Sequence, residues 1–148
     1  MSADLPLDAS FGAANDAEIL RVLVVDDNEA SARSLAWAIE LEGYDTRLCL
    51  SGPLAVAEAS AFRPHVVLLD LGMPGMNGYE VCRAMRADSV LSHIKIIAQT
   101  GWGDAEARRR TAETGFDLHL VKPVNMVMLA EMLALLAHTA GATRHQAA

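Results

Sequence analysis

The chain has 148 residues, 52% of them apolar, and a formal net charge of −7. That length allows one well-buried core rather than two ordinary domains, and the apolar content excludes disorder over most of the chain. The acidic balance argues against a surface that coats nucleic acid, and no apolar stretch approaches the roughly 20 residues that a bilayer span requires.

Residues 1–18 are rich in Ala, Asp and Ser and carry no sustained period. They lack the basic segment and apolar core of a signal peptide, so they read as a flexible lead or the remnant of a linker. Residues 140–148 read as a flexible tail, which leaves one compact unit over 19–139. Cys49 and Cys82 show neither metal-ligand spacing nor a disulfide framework. Both sit in apolar runs as small buried hydrophobes, which fits a reducing, cytoplasmic setting.

Within the unit, the first apolar run is 22–25, ended by Asp26 and Asp27. A helix follows Asn28, with Ala32, Leu35 and Ile39 at core spacing, and stops at Gly43, a plausible C-cap. A weaker strand at 44–50 leads to a helix over 52–61. The second strong run, 66–69, ends at Asp70 and is followed by a Gly/Pro-rich loop, 72–78, and a helix over 78–86. The third strong run, 94–98, is followed by Thr100 and a helix over 104–113. That helix carries the chain's only basic run, Arg108, Arg109 and Arg110, whose simplest reading is a solvated face. A weak strand at 116–121 reaches Lys122 and Pro123, and the last helix spans 125–138. Proline after Lys122 favours a cis peptide that would turn the lysine toward its neighbours.

The three strong runs are nearly continuous in hydrophobicity, as expected of strands covered on both faces. Strict alternation of strand and helix implies a parallel sheet with helices on both sides. The loops after the strands then gather at one edge, where open α/β sheets place their ligand sites. Asp26, Asp27 and Asp70 would meet there. Carboxylates that close raise one another's pKa values unless a cation intervenes, and Mg²⁺ suits a few carboxylates plus water and phosphate. Helix capping is the competing explanation for Asp26 or Asn28. It does not account for Asp70, which precedes a loop. Thr100 offers a hydroxyl, and Lys122 a point positive charge, to the same edge.

The set Val24-Val25-Asp26-Asp27-Asn28, Asp70-Leu71-Gly72-Met73-Pro74-Gly75-Met76-Asn77-Gly78, Gln99-Thr100-Gly101 and Val121-Lys122-Pro123 resembles the receiver domain of two-component response regulators, in order and spacing. The resemblance covers about residues 21–138. It implies a flavodoxin-like, doubly wound (βα)5 fold with strand order 2-1-3-4-5. It also implies that Asp70 is a phosphoacceptor. Asp27 would ligate Mg²⁺ directly, Asp26 mainly through a bound water, and Gly72 through its backbone carbonyl. Thr100 and Lys122 would bind the phosphoryl oxygens, and a histidine kinase or histidine phosphotransfer protein would be the donor. Such a domain promotes only its own phosphorylation and dephosphorylation and is not otherwise an enzyme.

The family's switch couples the Thr100 position to an aromatic residue three before the lysine. Here that position is His119, which is either a surface residue or a switch that titrates near neutral pH. Trp102 and Gly72 occupy positions that influence phosphoryl lifetime in the family, and they point in opposite directions. The last helix carries one charge over more than three turns, Glu131. Its outer face is either a local excess of Ala and Met or an apolar surface for a second copy or a neighbouring domain. Trp37 is a second exposed-aromatic candidate.

Two rival functions remain in view. An aspartyl phosphohydrolase would place a second Asp two residues after the nucleophile, where this chain has Gly72. A pseudo-receiver, binding partners without being phosphorylated, would be expected to have lost an acid or the lysine. No DNA-binding unit is expected after residue 138. A stand-alone regulator and a receiver cut from a hybrid kinase both remain open, as do the cognate kinase and the output.

Overall fold

The computed structural model describes residues 18–101, 103 and 105–146. Its elements alternate as β1 (Arg21–Val25), α1 (Glu29–Leu41), β2 (Asp45–Cys49), α2 (Gly52–Phe62), β3 (Val66–Asp70), α3 (Gly78–Ala87), β4 (Lys95–Thr100), α4 (Ala105–Thr114), β5 (Leu118–Val121) and α5 (Met126–Ala140). The five strands form one parallel sheet in the order β2-β1-β3-β4-β5. This is the doubly wound, flavodoxin-like arrangement expected from the alternation and the family resemblance.

Burial follows the hydrophobic runs. Every residue of β3 is buried, and so are all of β1 after Arg21 and all of β4 after Lys95, because helices cover both faces. The edge strand β2 alternates between exposed and half-buried positions up to Cys49. Leu23, Val25, Val67, Leu69, Ile96 and Ala98 pack toward Ala55 and Ala59 of α2 and Val81, Cys82 and Met85 of α3. On the other face, Val22, Val24, Leu68 and Ile97 meet Leu35 and Ile39 of α1 and Leu129 and Leu133 of α5. By contrast, α4 buries only Thr111.

Side-chain caps start three of the helices that leave the ligand edge, α1, α3 and α5. Asn28 accepts from the Ser31 N–H and Asn125 from the Met128 N–H. Asn77 and Glu80 form a reciprocal capping box at the start of α3. Gly78 is required by close approach: a Cβ there would lie 2.5 Å from the Asp70 carbonyl oxygen.

The segment expected to be a loose tail is tied down. The Leu20 N–H donates to the Thr143 carbonyl (2.9 Å), and the Thr143 N–H donates to the Glu18 carbonyl (2.8 Å). His145 donates its backbone N–H to Gly43 O and sets its Nε2 2.8 Å from Asp45 Oδ1. Backbone groups just before β1 thus find partners in the returning chain, while Ala142 packs against the core. The chain after residue 139 is thus hydrogen-bonded to the unit as far as His145, although residues 143–145 are themselves exposed. Gly43, at φ +99°, follows the last turn of α1 as expected. Of the lead at 1–18, only Glu18 falls among the described residues, and there it pairs with Arg21 and His65.

Candidate phosphoacceptor site

Sheet register builds the site. Val25 pairs with Leu69 and Asp70 with Gln99, so the ends of β1, β3 and β4 stand level. Asp26, one residue past β1, therefore sits beside Asp70. Asp26, Asp27 and Asp70 each offer a carboxylate oxygen, and these oxygens all lie within 4.8 Å of one another. Asp26 is 1% exposed and Asp70 6%, whereas Asp27 is exposed. Lys122 Nζ lies 3.2 Å from Asp70 Oδ1 and 4.0 Å from Asp26 Oδ2.

Capping is not the duty of Asp26, because Asn28 caps α1 itself. Asp26 Oδ1 instead accepts the Asn28 N–H at 2.9 Å. Burial pushes the Asp26 carboxyl above the ordinary carboxylate range, and the charge of Asp70 acts in the same direction. The Asn28 N–H and the Lys122 ammonium oppose that shift in part. Three converging carboxylates with one lysine make a charge-deficient site. The oxygen donor set and spacing fit a hard divalent cation.

Asp70 closes β3, and its Oδ1 also accepts the Gly72 N–H at 3.1 Å. Thr100 is the last residue of β4, which runs on past its expected end at Ala98, and is 5% exposed. The Lys122 N–H donates to the Thr100 carbonyl at 2.8 Å, which ties the lysine to the end of β4. The Lys122–Pro123 peptide is cis. Asp70, Thr100 and Lys122 open into one cavity of about 600 Å³, which Gly72, Tyr79 and Arg110 also line. Trp102 lies outside the described residues.

A match to the model of the response regulator receiver domain spans residues 22–134. The chain belongs to this family. It is 38% identical over 109 residues to the response regulator PleD of Caulobacter vibrioides, a match covering 74% of this chain and 24% of that protein. It is 40% identical over 103 residues to the DNA-binding response regulator MtrA of Mycobacterium tuberculosis, covering 70% of this chain and 44% of that protein. The receiver thus spans less than half the length of either relative. Among solved structures, the receiver domain of a signal transduction histidine kinase from Syntrophus aciditrophicus superposes with a TM-score of 0.75 at 30% identity, covering 86% of this chain and 97% of that one. A chemotaxis response regulator of Vibrio cholerae matches at 28% identity and a TM-score of 0.75, covering 80% of this chain and 98% of that one.

His119 lies on β5 in register with Ala98, and Thr100 in register with Val121. Alternation puts His119 and Thr100 on the same face of the receiver's sheet, toward α4. His119 Nδ1 is 3.0 Å from Thr111 Oγ1, and that hydroxyl donates to the Arg108 carbonyl. The hydroxyl hydrogen is therefore committed, and His119 Nδ1–H is the donor to Thr111. Two residues near the site gave little sequence signal. Gln99 is 2% exposed within an otherwise apolar strand, and its Nε2 has no partner among the described residues. The basic run Arg108, Arg109 and Arg110 is exposed, as its reading as a solvated face requires, but Arg110 also sets its guanidinium carbon 4.0 Å from the Tyr79 ring centroid. Only the long-range meeting of α3 and α4 reveals that contact.

The other candidates fall outside the site. Trp37 is 67% exposed on α1. Val127 is 72% exposed and Leu135 63%, so the outer face of α5 is apolar and uncovered. Both cysteines are buried, and burial pushes the Cys82 thiol up to about 11, well away from thiolate chemistry at neutral pH. No helix among the described residues is long and apolar enough to cross a membrane.

Proposed function

We propose that the chain is a phosphoacceptor switch of a two-component phosphorelay in which Asp70 accepts a phosphoryl group. The observation that carries this reading is the convergence of three carboxylates within 4.8 Å, with Lys122 3.2 Å from the one that faces the cavity. Asp26, Asp27, Asp70 and the Gly72 carbonyl would hold Mg²⁺. When bound, the ion supplies charge neutralisation for the carboxylates and the incoming phosphate.

An Asp70 carboxylate oxygen attacks phosphorus as the P–N bond of a phosphohistidine on a histidine kinase or phosphotransfer protein breaks. The electron pair stays with the imidazole nitrogen. Lys122 and Thr100 receive the phosphoryl oxygens, and the protein's part is positioning and charge compensation. The output is altered binding near α4 and α5, not turnover of a separate substrate. His119 extends the route outward, since Thr100 and His119 share a sheet face and His119 is bonded to Thr111 of α4. The uncovered α5 face is the natural place for a second copy or a neighbouring domain. A cytoplasmic location matches a kinase partner and two free, buried thiols.

Incubating the protein with acetyl phosphate and Mg²⁺ and reading intact mass tests the assignment. One phosphoryl group should add to wild type and none to Asp70→Asn. No addition to wild type under any condition would favour the pseudo-receiver, a partner-binding module that is never phosphorylated.

A further inference from the structure

The cavity above Asp70 has a second cation whose geometry the metal and phosphoryl assignments do not use. Arg110 of α4 lines the same cavity as Asp70 and Lys122, and its guanidinium carbon sits over the Tyr79 ring, 4.0 Å from the centroid. Tyr79 is itself fixed: it is 9% exposed and meets the Phe116 ring edge-on at 6.1 Å. A guanidinium held over a fixed ring by cation–π attraction loses less freedom on binding a ligand than one free in solvent.

The neighbouring charges leave Arg110 unbalanced. Glu106 lines the cavity too, but its carboxylate is paired with Arg109. The guanidinium of Arg110 makes no ion pair or hydrogen bond among the described residues. On the floor, a divalent cation and Lys122 together cancel Asp26, Asp27 and Asp70. Without Arg110 the loaded site would offer an approaching anion no net attraction.

We propose that Arg110, held on Tyr79 at the mouth of the cavity, is the charge that captures the anionic phosphodonor before transfer to Asp70. The inference rests on the phosphoacceptor reading above and adds a residue that acts on donor entry. With acetyl phosphate, the Asp70 oxygen forms the new P–O bond and the acetate oxygen leaves with its electron pair. Arg110 takes no proton or electrons and acts through its charge on the donor's phosphate oxygens.

The test measures full-length Arg110→Gln, Arg110→Lys and wild type for the second-order rate of phosphorylation by acetyl phosphate, at low and high salt. It also measures the affinity of each for Mg²⁺ alone by calorimetry. Arg110→Gln should be slower by about three- to tenfold at low salt, less so at high salt, while Arg110→Lys recovers most of the loss. The same Arg110→Gln should bind Mg²⁺ about twofold more tightly, because a like charge has gone. A residue that merely packs the loop would weaken both, and that result would overturn the proposal, as would equal rates for Arg110→Gln and wild type. Failure of wild type to take up phosphate would instead sink the phosphoacceptor assignment itself, and this inference with it.

Discussion

Replacing Asp26 by Asn should make the metal-free protein more stable. At an effective dielectric of about 20, unit charges at 4.8 Å repel by about 3.5 kcal/mol, and at 4.0 Å opposite charges attract by about 4 kcal/mol. For Asp26, the Lys122 ammonium therefore roughly cancels the Asp70 carboxylate. What remains is the solvent-screened repulsion from exposed Asp27 and the cost of holding a carboxylate that is 1% exposed. Asparagine removes both and still offers an oxygen to the Asn28 N–H, so the gain should be about 2 kcal/mol, or about 5–10 °C in Tm. Burial raises the folded pKa of Asp26 above its ordinary value of 3.8, so the fold favours its protonated form relative to the unfolded chain. That stabilisation is fully present below 3.8 and lost as pH rises through the folded pKa. The advantage of Asn is therefore largest near neutral pH and shrinks on acidification. Circular dichroism melts in EDTA at pH 7 and pH 4.5 measure it. Saturating Mg²⁺ should narrow the gap by stabilising wild type more than a variant that has lost one of its carboxylates. A variant no more stable than wild type in EDTA, or a gain that Mg²⁺ leaves untouched, would refute the electrostatic reasoning.

Arg86 clamps the far end of the sheet, donating to the carbonyls of Ser92, Ile94 and Gly115 and pairing with Asp117 at 2.8 Å. Arg86→Ala should cost about 2–4 kcal/mol in urea unfolding, and Lys should not rescue it, because one ammonium cannot span those acceptors. His119→Ala should leave phosphorylation of Asp70 intact while abolishing the phosphorylation-dependent amide shifts of α4. If those shifts persist at full size, His119 is not on the route.

Much of the fold was legible because β1, β3 and β4 are short apolar runs with no polar face, and that pattern has one common physical cause, cover on both sides. The site was legible because its acids stand at the ends of those runs, where register rather than sequence distance brings them together. Strand ends were less so: Asp70 and Thr100 close their strands instead of following them, since ladder pairing continues through polar residues when both neighbours are level. The paired tail at 143–145 escaped notice because its bonds are made by backbone groups, which composition does not reveal. Arg110 was absorbed into a charge run because its partner, Tyr79, lies a whole βα unit away in sequence.

The Ile19–Thr143 bridge also settles where attached polypeptide would emerge. Both ends of the packed unit meet at the amino-terminal pole of the sheet, and β1 separates that pole from the acids by five residues of extended chain, about 17 Å. A fluorescent tag or a fused effector joined directly to either end of the described unit would start at the pole opposite the mouth above Asp70. With ends this close, the unit is also suited to circular permutation or to insertion as a module into a host loop. The phosphoryl pole and the tethering pole of this receiver can then be engineered independently.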